Sequence, residues 1–302
     1  MKRYERLLVG VDLAPDGASV AVGSRCAARE ARWLAERLGA SITLFHSTWA
    51  DTFEGGGRIQ HGTSAEGTAA LSALAAEIAS SGVPVEEVAS DGRPWQAMIQ
   101  RVLRGENDLV CIGRRNLEGS GAIGANARKL LRKCPVPVWV VKPVASLDPP
   151  ADRTVLAATD LSSVGDQSVE LAAGLARLMD CRLVVVHAWQ ASPEVGFAIE
   201  VPAEQRDALA AIERAATDHV DRVLKGCADG LRVTTRIVQG AASGVIQDVV
   251  ATDHVDLVVM GTLSRSGIAG LLIGNTAERL LERLECSTLT VKPDGFRSPV
   301  SA

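Results

Sequence analysis

VDLVVMGTLSRSGIAGLLIGNTAERLLERLECSTLTVK, residues 255–292, is the stretch that decides the architecture of the whole chain. Its DLVVM run at 256–260 is short and continuously apolar after one acid, the pattern of a strand buried on both faces of a parallel sheet. Gly261 ends the run, and the loop at 262–273 carries small polar residues and two further glycines. Gly274, Asn275 and Thr276 then open a helical pattern over 277–284, with Leu280, Leu281 and Leu284 on one face. A buried strand, a glycine-rich loop and a helix start are what a backbone needs to hold an anion. Bare N–H groups and the positive helix end converge, and glycine lets a phosphate approach closely. The stretch has neither G-x4-G-K-[ST] nor a loop lysine, and it lacks G-x-G-x-x-G, so it is neither a P-loop nor a dinucleotide fingerprint. A plain connection whose glycines serve only turns stays open as the alternative.

Working outward, the 302 residues suffice for two ordinary domains or one large one, and 47% hydrophobic residues suffice for full cores. A net charge of −4 and 3% aromatic residues leave no electrostatic footprint and few stacking platforms for nucleic acid. No apolar run approaches the roughly 18 residues a membrane span needs. The opening MKRYERLLVGVD passes directly into a strand-like segment without a signal-peptide core, which predicts a cytoplasmic protein. The six cysteines show no C-x-x-C spacing, so they read as buried free thiols of a reducing compartment and not as a disulfide frame or a zinc site.

The chain repeats itself. LLVGVD at 7–12 matches VLAATD at 155–160, SITLFH at 41–46 matches RLVVVH at 182–187, and DLVCIG at 108–113 matches DLVVMG at 256–261. VWVVKP at 138–143 matches LTVKP at 289–293. A period near 150 residues is a domain duplication, with expected domains at 1–146 and 151–302 and a Pro-containing linker between them. Strands are expected near 5–12, 41–47, 84–89, 107–113 and 136–142, and helices near 17–38, 63–82, 94–104 and 124–133. The second half repeats the alternation, with strands near 153–160, 181–189, 231–238, 255–261 and 287–292 and helices near 163–179, 203–227, 243–252 and 275–284. This predicts an α/β fold of two tandem, doubly wound, five-stranded parallel sheets. Such sheets bind ligands beyond the strands' C-terminal ends where strand order reverses. Asp12, Asp160, Gly113 and Gly261 all fall at strand ends.

The spacing Gly261, Ser264, Gly274, Asn275 resembles the G-x2-G-x9-G-[STN] signature of ATP-binding universal stress proteins. The tandem halves and the closing segments LLRKCPVPVWVVKP and GNTAERLLERLECSTLTVKPDGFRSPV resemble that family's E-type subgroup over nearly the whole chain. The resemblance implies the adenine nucleotide α-hydrolase-like fold and ATP, or ADP or AMP, as ligand, with Mg2+ as an open companion. It implies that Asp160 accepts from adenine or ribose, that Ala158 lines the base, that Ala188 offers backbone contacts and that Met260 packs on base or sugar. Gly261 and Ser264 would lie under the phosphates, and Gly274, Asn275 and Thr276 would donate to them. Ser264 stands where the pattern has glycine, so its side chain either crowds the phosphates or binds them. In the first half Gly113 and Gly124 are eleven positions apart against thirteen for Gly261 and Gly274, and Ala125 replaces Asn275. That pocket is expected to be altered or empty of ATP, with an adenosine-like fragment at Asp12 left open. Arg114 and Arg115 read as solvated loop arginines before anion ligands.

His46 and His187 end matching strands without ligand-spaced carboxylates and read as structural. Asp108 and Asp256 read as caps, and Trp49 and Trp189 lie near the expected pocket mouths. The last strands, 136–142 and 287–292, are expected to pair with each other or with a second copy, as edge strands require. The functional expectation is a cytoplasmic stress-response regulator that binds ATP in its second domain, meets an unknown protein partner and has no catalytic residues. One rival is a non-nucleotide ligand-binding or scaffold protein of the same fold, with 48–64 and 190–204 as lids. A weak ATPase ranks below both, because no Walker-type lysine or evident base is present.

Overall fold

The computed structural model describes residues 4–49, 63–114, 123–143, 153–190, 203–262 and 274–301. Ser264 and the rest of the loop at 263–273, Arg115, the linker at 144–152 and most of the two expected lids lie outside the described residues. Two compact units emerge, Pro150–Asp294 and Lys2–Pro149, with Gly295–Ala302 grouping with the latter.

In the first unit β1 (Arg6–Gly10), β2 (Ser41–Ser47), β3 (Val85–Ser90), β4 (Leu109–Gly113) and β5 (Val138–Val141) alternate with α1 (Val22–Leu38), α2 (Ala65–Ala79), α3 (Pro94–Leu103) and α4 (Ala125–Lys133). All strand pairs of this sheet are parallel, in the order β3-β2-β1-β4-β5. The second unit repeats the scheme with β6 (Thr154–Ala158), β7 (Arg182–Trp189), β8 (Val233–Gln239), β9 (Leu257–Gly261) and β10 (Ser287–Val291). Its helices are α5 (Ser163–Met179), α6 (Ala203–Cys227), α7 (Ala242–Thr252) and α8 (Asn275–Arg283), and its order is β8-β7-β6-β9-β10. The doubly wound architecture expected of each half is present.

The central strands are apolar on both faces because both faces are covered. Leu7, Leu8 and Val9 of β1 and Val155, Leu156 and Ala157 of β6 have no exposed surface. In the first unit α1 packs on β1, β4 and β5, and α3 packs on β1 and β2. Asp108 and Asp256 sit just before β4 and β9 and tie the sheets' lower ends. The Asp108 carboxylate accepts from the amides of Glu5 and Arg6 at 2.9 and 3.1 Å, and that of Asp256 accepts from Thr154 at 2.8 Å. They cap the neighbouring strand's start and take no part in the opposite, ligand-facing end.

One helix start differs from expectation. α1 begins at Val22 and not near 17, because residues 13–20 form a separate loop closed by an antiparallel bridge between Leu13 and Val20. Asp16 accepts from the amides of Ala18 and Ser19, and Gly17 takes φ +66°. Side-chain capping of the local backbone diverts the chain from helix there.

α1 and α5 end in the same way. The amide of Ala40 reaches Ala35 and that of Cys181 reaches Ala176, both at 3.0 Å, around a left-handed residue. That residue is Gly39 (φ 66°) in one unit and Asp180 (φ 49°) in the other. Side chains resist this conformation by about 1 kcal/mol or more. Gly39→Ala is therefore expected to cost about 1 kcal/mol, and Asp180→Gly to gain up to about that amount, read as opposite shifts in thermal unfolding.

Candidate functional site

In the second unit the strand order reverses between β6 and β9. The connections from β6 and β9 leave in opposite directions, the topology that places a crevice above these two strand ends in such sheets. Ala158 and Met260 are register partners across this gap, and Gly261 pairs with Val291 on the far side of β9. Met260 is buried, 3% exposed, and forms floor more than wall. Asp160, two residues beyond β6, is exposed. Ala188 lies near the end of β7, immediately after His187, whose Nδ1–H donates to the Thr159 carbonyl at 3.0 Å. A carbonyl can only accept, so this bond places the proton on Nδ1. His46 repeats it on Val11 at 2.9 Å, and both histidines are structural as expected.

The turn that presents Asp160 is held by its own side chains. Thr159 Oγ1 accepts from the amide of Leu161 at 3.0 Å, and Asp160 Oδ1 accepts from the amide of Ser162 at 3.1 Å and from its hydroxyl. Ser162 Oγ in turn caps α5 by accepting from the amide of Gly165 at 3.2 Å. These bonds hold Leu161 at φ 60°, a conformation that costs a branched side chain about 1–2 kcal/mol. A Cβ on Gly165 would lie 2.5 Å from Thr159 Oγ1 and 2.8 Å from Asp160 Oδ1, so glycine is what lets the turn sit on the helix. Thr159, Ser162 and Gly165 were not singled out in the sequence. The signal available was Ser162 directly before the helical run expected near 163–179, the N-cap position.

On the other side of the gap, Thr262 is 1% exposed and donates its amide to Val291 at 3.0 Å. Its carbonyl accepts from the amide of Gly274 at 2.7 Å. One residue thus marks both where the loop at 263–273 leaves the sheet and where it returns. Gly274 is the N-cap of α8, at φ −77° and ψ 150°, and as a glycine it offers the helix no side-chain cap. Thr276, in the first turn, is exposed. Without a cap from Gly274, the helix's leading N–H groups need other acceptors. A Cβ at Gly274 would meet the Thr262 carbonyl at an ordinary 3.4 Å, so among the described residues neither backbone nor packing demands glycine there.

The same place in the first unit is built differently. The cleft between β1 and β4 encloses about 60 Å³, against roughly 300–1,000 Å³ for small-molecule pockets in general. Asp12 is exposed there, and its amide donates to Ser24 Oγ at 2.9 Å. The loop at 13–20 follows it directly, and Gly17 accepts from the Ser64 hydroxyl at 3.0 Å. Arg114, expected as a solvated loop residue, is instead 8% exposed at the end of β4, where its amide donates to Val141 at 2.8 Å. Its peptide meets the start of α1 so closely that a Cβ on Gly23 would lie 2.4 Å from the Arg114 carbonyl oxygen. Trp189 is buried and Trp49 half-buried at the ends of their strands.

A model described as the Universal stress protein family matches residues 3–142 and again 153–292. The chain belongs to the universal stress protein family and carries its domain twice. Among curated proteins it is similar along its length to universal stress protein E of Photorhabdus laumondii, 28% identical over 326 residues, covering 100% of this chain and 99% of that one. It is likewise similar to universal stress protein E of Escherichia coli K12, 28% identical over 323 residues, covering 99% and 98%. Among solved structures, a protein of unknown function, PA1789 of Pseudomonas aeruginosa PAO1, superposes with a TM-score of 0.69 at 22% identity, covering 96% of this chain and 93% of that one. A universal stress protein from Archaeoglobus fulgidus gives 0.65 at 18%, covering 95% and 98%. These two establish the tandem fold.

The glycines separate structural from ligand-facing demands. Gly165→Ala is expected to destabilise by about 1–3 kcal/mol through overpacking against Thr159 and Asp160. Gly274→Ala is expected to stay within about 0.5 kcal/mol of the parent. Urea unfolding of the two variants checks this, and equal losses would contradict it.

Proposed function

We propose that the second unit binds an adenine nucleotide across the β6/β9 gap, and that occupancy and not turnover is the signal passed to a protein partner in a stress response. The observation that carries this reading is the pairing of two features at one strand-order reversal. Asp160 is exposed on a turn with a left-handed Leu161, and across the reversal α8 starts at Gly274, which offers no side-chain cap and, among the described residues, has room for a methyl group. Asp160 is exposed, and its carboxylate can accept from the exocyclic amine of adenine or a ribose hydroxyl. Ala158 and Ala188 leave room beside it, and Gly261, Gly274, Asn275 and Thr276 supply backbone and hydroxyl donors for phosphate. Ser264 would join them from the loop.

The residues fit a nucleotide better than a resident metal. Among the described residues no cluster of three or more His, Cys, Asp or Glu has metal-binding geometry. A Mg2+ would be held chiefly by phosphate oxygens and water. The stretch 255–273 has no lysine to stabilise a transferring phosphoryl group, which favours binding over hydrolysis. All six cysteines are free and five are buried, which suits a reducing cytoplasm.

Equilibrium dialysis with ATP tests the reading. The parent should retain about one equivalent, Gly274→Asp should lose at least about tenfold in affinity through a carboxylate placed against phosphate, and Asp160→Ala about tenfold through the lost base or ribose contact. Gly274→Asp should leave adenosine binding nearly unchanged, whereas Asp160→Ala should weaken ATP and adenosine alike. Equal retention by all three proteins, or none by the parent, would refute the site.

A further inference from the structure

The two units differ most instructively where α3 and α7 begin. Buried positions of the helices correspond one to one: Met98, Ile99 and Val102 in α3 with Val245, Ile246 and Val249 in α7. One turn earlier stands Trp95 in α3 and Ala242 in α7. Trp95 and Met98 are 8% and 2% exposed, and both line the cleft between β1 and β4. At the end of β1 the matching residue also changes, Gly10 against Ala158 of β6. A Cβ on Gly10 would lie 3.1 Å from Met98 Cε and 3.0 Å from Ile112 Cγ2. Ile112 occupies in β4 the place that Met260 occupies in β9. Met98 therefore stands over the strand ends whose counterparts, Ala158 and Met260, form the floor proposed for the base. An indole and a purine have the same fused bicyclic outline, and Trp95 brings one into this cleft from within.

We propose that Trp95 and Met98 fill the base subsite of the first unit, so that the chain carries one nucleotide site and not two. The specificity-determining difference between the units lies at the start of α3 and α7, in addition to the shortened loop. Gly10 is the mark of this filling. The small residue in β1 is required by the long one in α3, while in the second unit the shorter Val245 leaves space for the methyl of Ala158. The proposal rests on the reading that the base sits above β6 and β9, carried over to β1 and β4.

The test uses adenosine, which lacks the phosphates that the shorter first loop would have to hold. Its stoichiometry is measured by equilibrium dialysis for the full chain, for Trp95→Ala/Met98→Val, and for each of these combined with Asp160→Ala or with Asp12→Ala. The exchanged variant should bind one equivalent more than the parent. That extra equivalent should survive Asp160→Ala and vanish with Asp12→Ala. A parent that binds none while the exchanged variant binds one would sink the second-unit site and leave this proposal standing. A parent and a variant that both bind one would do the reverse, and a parent that binds two overturns the proposal outright. Because Trp95 and Met98 are core residues, a second measurement needs no ligand. Gly10→Ala should lower the unfolding temperature by several degrees in the parent and by clearly less in the Met98→Val background. Losses that merely add would show that Met98 does not occupy the space above Gly10.

Discussion

A parallel sheet cannot reverse its strand order without leaving two strand ends uncovered, and that constraint governs both units. In each, the first and fourth strands lie side by side while their outgoing connections run to opposite faces. Everything at the reversal has to be supplied by side chains, by the neighbouring helix start or by a ligand. The hydrophobic core below is indifferent to which of these is used. β1 and β6 are equally buried, and the caps at Asp108 and Asp256 hold the opposite ends of the sheets in the same way. A duplicated unit can therefore change what lies over the reversal without changing its fold.

The two halves of this chain show two solutions. The second keeps an exposed carboxylate at Asp160 and a glycine at the start of α8, at the expense of a left-handed Leu161. Three side-chain hydrogen bonds around Thr159, Asp160 and Ser162 offset that strain. The first unit lacks the left-handed residue, and its cleft is small. An extra loop follows Asp12, the peptide of Arg114 closes onto Gly23, and the bulky residues of α3 reach over β1.

Much of this was legible in the sequence and some of it was not, for physical reasons. Strands such as 155–160 and 256–261 announce themselves because burial on both faces forces a continuous apolar run. The repeat, the strand-end aspartates and the Gly261 and Gly274 pair followed from the same regularity. The start of α1 was misplaced because Asp16 and Gly17 trap the chain in a local turn, and periodicity does not register such competition between side chain and backbone. Arg114 was read as solvated because charge usually is, yet its position one residue past a central strand carries it into the interior. Trp95 looked like ordinary core. A residue that fills a ligand's place has the same hydrophobic signature as one that fills a core, and only the strand it faces distinguishes them.

Glycine offers the finest discrimination, since its reasons differ from place to place. Gly39 is required by a left-handed backbone, Gly165 by the oxygens of Thr159 and Asp160, Gly23 by the peptide of Arg114, and Gly10 by the side chains of Met98 and Ile112. Each of these requirements is met by the protein alone. Gly274 differs from these four: its φ is ordinary and, among the described residues, a methyl group there has room beside Thr262. A cap residue of Ser, Thr, Asp or Asn at that position would stabilise α8 by about 0.5–2 kcal/mol, as Ser162 does for α5 and Ser64 for α2. Gly274 has no side chain with which to make that contribution, a cost to α8 that the nucleotide reading proposed above would explain.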